Sequence, residues 1–127
     1  MEFRQGETIE LRVTPDPYVT VRYAGASGDF NPIHIDEEFA KQVGLRGRIL
    51  HGLWTMAQVA RAHTEAAGGP ESLKRLSVQF RGLGRLGEEI VVTGTVREVT
   101  NGTAIVDSQA VQSGQRIIRN AVAELSP

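Results

Sequence analysis

The segment Tyr23-Ala24-Gly25-Ala26-Ser27-Gly28-Asp29-Phe30-Asn31-Pro32-Ile33-His34 places a carboxylate, a carboxamide and an imidazole within a few residues of one another. A carboxylate beside an imidazole can pass protons to and from a bound molecule near neutral pH. Asp29 and His34 are five residues apart, about 140° around a helix and on opposite faces of a strand, so regular structure cannot aim them at one point. Gly28 and Pro32 break the regularity: the glycine ends a helix, and the proline drives Asn31 out of the α region. The bent chain then brings carboxylate and imidazole together, with Asn31 as a neighbouring donor and acceptor. Ile33 and Ile35 flank His34 and predict a largely apolar surrounding for its ring. The same residues also read as an Asx-turn beside a buried, satisfied histidine.

The second chemical feature is Leu50-His51-Gly52-Leu53, where a long helix begins. No Ser, Thr, Asp or Asn precedes it closely enough to cap it, so its first N–H groups and the positive helix end stay available. Glycine at that start allows close approach of a ligand atom to the backbone, as an oxyanion site requires. A helix start satisfied by water or by a neighbouring loop accounts for the same residues.

Other motifs fail on context. Gly82-Leu83-Gly84-Arg85-Leu86-Gly87 fits the spacing of a dinucleotide-binding fingerprint, but Glu88-Glu89-Ile90-Val91-Val92 follows where a helix must stand. These glycines are expected in turns and bulges between strands. Ser27 has Asp29 where a nucleophile elbow needs glycine, and is expected to bond a turn. His34, His51 and His63 show no metal-binding spacing, so no metal is expected. Lys74, Arg75, Arg81 and Arg85 form a local basic cluster, read first as a solvated face.

The elements that must position these groups follow from pattern. Residues 7–13 alternate as a half-buried strand. Thr14-Pro15 predicts a short helix running through Tyr23 and Ala24, although residues 19–23 also alternate like a strand. Asp36 caps another short helix that stops near Gly44. The longest helix is expected over 52–67, with Leu53, Met56, Ala57, Ala60, Thr64 and Ala67 on its apolar face and Gly68-Gly69-Pro70 ending it. From Leu73 onward everything reads as strands, with Asn101-Gly102 and Ser113-Gly114 as hairpin turns. Strands without intervening helices make an antiparallel sheet, and one long helix must lie against it, an α+β arrangement.

At 127 residues the chain is read as one domain. Fourteen Lys and Arg against fifteen Asp and Glu lack the basic excess of a nucleic-acid binder. No cysteine is present, which removes disulfides and thiolate chemistry and fits a cytoplasmic setting. Neither a membrane span nor a signal peptide is recognisable in the sequence, and no linker or tail is expected.

Taken together, Tyr23–Asp36 and His51-Gly52 resemble the MaoC-like, (R)-specific enoyl-CoA hydratase family, also called hydratase 2, and in particular its single-domain bacterial dehydratases. The resemblance follows the order of elements along the whole chain. It implies a hot-dog fold, in which the sheet wraps around the long helix. It also implies that Asp29 and His34 hold one water, with Asn31 beside them, and that the Gly52 N–H faces a thioester oxygen. The implied substrates are acyl-CoA or acyl carrier protein thioesters, with no cofactor. Arg46, Arg48, Arg81 and Arg85 are candidates for phosphate contacts. The family pairs as dimers, so a homodimer, a larger homo-oligomer or a mixed hot-dog assembly is expected. A non-catalytic subunit of such an assembly, or a hot-dog thioesterase, is the alternative. One departure is Leu86-Gly87-Glu88, where relatives often carry Pro-Gly-Asp.

Overall fold

The computed structural model describes residues 2–126. Strand β1 (Thr8–Val13) leads into four helices, α1 (Val19–Ser27), α2 (Pro32–Ile35), α3 (Glu37–Gln42) and α4 (Gly52–Ala67). A short 3-10 turn (Pro70–Ser72) then opens a run of strands: β2 (Leu73–Phe80), β3 (Ile90–Thr100), β4 (Thr103–Gln112) and β5 (Gln115–Leu125). The five strands form one sheet in the order β1-β3-β4-β5-β2, antiparallel throughout. Helix α4 packs against all five strands, which is the expected α+β hot-dog arrangement.

The hairpins turn where the sequence predicts, with Asn101, Gly102, Ser113 and Gly114 all at positive φ. Helix α1 starts later than Pro15. The Asp16 carboxylate and carbonyl take the N–H groups of Tyr18 and Val19, so the chain turns once more before the helix begins. It ends at Gly28, at φ 79°, as expected.

The buried face of α4 differs from the expected stripe. Thr55, Gln58, Val59, Ala62, His63 and Ala67 face the core, whereas Leu53 and Ala57 are exposed and Met56, Ala60 and Thr64 are half-buried. Three of the inward residues are polar, and each bonds a carbonyl one turn back: Thr55 to His51, Gln58 to Trp54, and His63 Nδ1 to Val59 at 2.7 Å. A side chain that bonds a polar atom to its own helix can enter a core that hydropathy alone would close to it.

His63 is fully buried, and among the described residues its Nε2 has no hydrogen-bond partner. Burial pushes its imidazole below the ordinary value of 6.5, outweighing the opposing bond to Val59. The folded chain therefore keeps the ring neutral, while the unfolded chain protonates it as pH falls through the ordinary value. Stability from this group is complete above that value and is lost on acidification. The melting temperature should fall between about pH 8 and pH 5, and His63→Leu should flatten that acid limb in a thermal melt series.

Sheet packing also fixes one glycine by space. A Cβ on Gly94 would lie 3.0 Å from Ile9 Cγ1, 3.1 Å from Ser108 Cβ and 3.1 Å from Val106 Cγ1. All three neighbours are buried. Gly94→Ala should cost about 1–3 kcal/mol in denaturant unfolding, because nothing around it is free to move aside.

Candidate active site

The turn between α1 and α2 builds the first half of the site. The Asp29 N–H donates to Ser27 Oγ at 3.1 Å, so Ser27 bonds the turn as its sequence context predicts. The Asn31 N–H donates to Asp29 Oδ1 at 3.2 Å, and Asn31 Oδ1 in turn accepts from the Ile33 N–H, capping α2. Pro32 takes the first helical position, where its missing N–H costs nothing. One carboxylate oxygen of Asp29 thus holds the turn. The other, Oδ2, faces His34 Nε2 at 3.7 Å.

His34 is buried while Asp29 is about half exposed. His34 Nδ1 lies 2.9 Å from the carbonyl oxygen of Ile49. A carbonyl only accepts, so Nδ1 carries a proton, and in the neutral ring Nε2 presents a lone pair toward Asp29. An ionised carboxylate and a lone pair are both acceptors, so they cannot bond each other. A molecule with two donor hydrogens satisfies both, and water is the smallest one.

His51 supplies a part that the sequence reading missed. Its ring stacks on His34 with centroids 3.8 Å apart and planes 20° from parallel, and Tyr23 packs on it at 4.8 Å. His51 Nε2 donates to the backbone carbonyl of Asp29 at 3.0 Å. The histidine-glycine pair at the helix start was the available signal, but it pointed only to Gly52.

Asp29, His34 and His51 each bring a potential ligand atom within 4.8 Å of the others. Nearly parallel rings at stacking distance direct their in-plane lone pairs side by side, not toward one point. Such side-by-side lone pairs do not converge as the ligands of one metal ion do.

Helix α4 begins at Gly52 with His51 as its N-cap and no side-chain cap, as expected. The His51 carbonyl accepts from the N–H groups of Trp54 and Thr55. Among the described residues, no hydrogen bond engages the N–H of Gly52 or of Leu53. Phe80, at the end of β2, lies over this start: its Cε1 would be 3.3 Å from a Cβ on Gly52. The loop from Gly82 to Gly87 backs the same region. The Gly84 carbonyl accepts from the Leu50 N–H, and a Cβ on Gly84 would come within 2.8 Å of Leu50 Cδ1. Close approach, not nucleotide binding, accounts for that glycine. Gly87, in the departing Leu-Gly-Glu turn, donates to the Pro15 carbonyl at 2.8 Å.

The four arginines separate. Arg46, Arg48 and Arg85 line a cleft of about 560 Å³ together with Glu37 and Glu88. Arg48 is half-buried and already engaged, donating to Glu37 Oε2 at 3.3 Å and to the Pro17 carbonyl at 3.0 Å. Arg81 does not line this cleft; it is exposed and donates to Gln79.

Known proteins resemble this chain in sequence and in fold. The family description "MaoC like domain" matches residues 2–116. The fatty acid synthase beta subunit aflB of Emericella nidulans is 34% identical over 114 residues, which are 87% of this chain and 5% of that protein. The peroxisomal enoyl-CoA hydratase 2 of Arabidopsis thaliana is 39% identical over 80 residues, 61% of this chain and 25% of that one. The chain therefore spans only a small part of these curated relatives. Among solved structures, the unliganded R-hydratase PhaJ1 from Pseudomonas aeruginosa superposes with a TM-score of 0.89 at 23% identity, covering 98% of this chain and 82% of that one. Since the family match runs through both halves of the site and the fold agrees, the chain belongs to the MaoC-like hydratase and dehydratase family.

Proposed function

We propose that this chain catalyses the reversible addition of water to trans-2-enoyl thioesters, giving (R)-3-hydroxyacyl thioesters on coenzyme A or acyl carrier protein. The observation that carries the reading is the pair of acceptors, Asp29 Oδ2 and His34 Nε2, held 3.7 Å apart with no donor of their own between them. A water placed there donates one hydrogen to each, and its remaining lone pairs face outward to the substrate.

His34 Nε2 takes a proton as the water oxygen bonds to C3. The electrons of the C2–C3 double bond move toward the thioester carbonyl, whose oxygen gains negative charge. The Gly52 N–H, at the positive end of α4, is the donor to that oxygen. A proton returned from the pair to C2 completes the addition, so the protons balance and no redox partner is needed. Asp29 accepts the second water hydrogen and orients the attack. Asn31 acts through its N–H on Oδ1 and through the cap of α2. Water and proton source on one side of the substrate give syn addition.

Phe80 and Leu53 flank the helix start as exposed apolar side chains and would line the thioester's approach. Arg46 and Arg85 are proposed phosphate contacts in the cleft, with Arg48 fixing its wall. A dimer and a cytoplasmic setting belong to the same proposal. Among the described residues no helix is long and apolar enough to cross a membrane.

The test is purified chain with crotonyl-CoA and longer enoyl-CoAs, followed by the ultraviolet absorbance of the conjugated thioester. Loss of absorbance without free thiol, and an R product on chiral analysis, supports the reading. Release of thiol, detected with Ellman's reagent, would mark a thioesterase. Activity that appears only with a co-purifying homologue would mark a subunit of a mixed assembly.

A further inference from the structure

We infer that His51 is the positioning residue of this site: one ring and its own backbone fix the carboxylate, the imidazole and the helix-start N–H relative to one another. The inference rests on the proposed hydration by Asp29 and His34. Three contacts converge on this residue. The Nε2–H bond to the Asp29 carbonyl ties down the carboxylate-bearing residue across 22 positions of sequence. The face of the ring, stacked at 3.8 Å, sets the plane of His34, whose other tether is the Ile49 carbonyl. The His51 backbone is the N-cap of α4, with its carbonyl bound by Trp54 and Thr55, so it sets the direction of the Gly52 N–H.

Packing alone does not explain an imidazole at this position. His51 is only 3% exposed, and its buried Nδ1 has no hydrogen-bond partner among the described residues. A buried acceptor left unpaired is a loss that a phenyl ring in the same place would avoid. What the phenyl ring lacks is the Nε2–H that reaches Asp29. The polar ring is therefore retained for the bond it makes, against the cost of the nitrogen it leaves unused. His51 touches neither the water nor the thioester in this scheme; it acts through its three neighbours.

Two variants divide the contacts. His51→Phe keeps a ring face for His34 and removes the donor to Asp29; His51→Gln keeps a donor and removes the face. Steady-state kinetics on crotonyl-CoA, a thermal melt and backbone ¹⁵N relaxation are measured on each. The expected result for His51→Phe is a fall in kcat of about 10²-fold, with KM within about threefold and a melting temperature equal to or above wild type. The backbone order parameters of Asp29 and Phe30 should drop in the same variant. His51→Gln should recover part of the kcat and of the order at Asp29.

A wild-type kcat in His51→Phe, or a raised KM at constant kcat, overturns the inference. Failure of His51→Gln to recover any kcat overturns it as well. Asp29→Asn is run alongside, so loss of activity there with no effect at His51 refutes the positioning role and leaves the hydration reading standing. An inert wild-type chain refutes the hydration reading instead, and the order parameters at Asp29 then decide the role of His51 on their own.

Discussion

Asp29→Asn should lower kcat for crotonyl-CoA hydration by about 10³-fold, within the 10²–10⁴ range of positioned acid–base groups. The substitution keeps size and shape but adds donor hydrogens to a group that was acceptor-only. Facing the His34 Nε2 lone pair across 3.7 Å, the new amide can turn an N–H toward it and close the gap in which the water should sit. The negative charge that steadies a protonated His34 is lost as well. The fold should be preserved, because the turn needs only one acceptor for the Asn31 N–H, and the amide oxygen can supply it. His34→Ala should reduce kcat at least as far. It also leaves the Ile49 carbonyl without its side-chain donor, costing roughly 1–3 kcal/mol of stability. Kinetics and melting temperatures should therefore be taken on the same samples. Either variant retaining turnover near wild type would remove the pair from the chemistry.

Gly52→Pro isolates the backbone donor, which side-chain mutagenesis does not normally reach. Gly52 is the first residue of α4, where proline is well tolerated. The residue before a proline must be extended, and His51 already is, with φ −66° and ψ 134°. The substitution thus removes one N–H while leaving helix and cap geometry in place. The expected outcome is a fall in kcat of about 10²–10³-fold, the usual effect of losing one oxyanion donor. Any added side chain also meets Phe80, so Gly52→Ala serves as the steric control. Its Cβ sits 3.3 Å from the ring of a half-exposed phenylalanine that can shift. Gly52→Ala should lose less than about tenfold, since it keeps its N–H. Equal losses in the two variants would assign the effect to crowding and not to the donor.

The sequence made most of the fold legible because its strongest signals are local. Gly28, Pro32 and Gly68 end or begin elements through φ requirements that no tertiary contact needs to supply. Alternation and hairpin dipeptides likewise located the late strands. The inward face of α4 was not legible, since Thr55, Gln58 and His63 hide their polarity in bonds to their own helix. In the site, Asp29, Asn31 and His34 stood out because they share one broken stretch of chain. His51 and Phe80 did not, because stacking and overhang join residues from different elements. Of the arginines, charge alone gave no means of separating Arg46 and Arg85, which line the cleft, from Arg48, tied to Glu37, or from Arg81 outside it.

The polar contacts of the site join residues 5, 15 and 22 positions apart, and all lie between Asp29 and Gly52. The sheet instead brings β1 onto β3 and β2 onto β5 from far along the chain, and it gives the site a wall in Phe80 but no acid, base or donor. Chemistry and enclosure are thus inherited through different stretches of gene. Substitutions along β2 to β5 can reshape what the domain admits without rewriting the proton transfers, and the catalytic segment can stay constant while the sheet around it diversifies. Under the proposed reaction, such a division would let one reaction centre serve acyl chains of different shapes, with Phe80 on the sheet as one place to engineer selectivity.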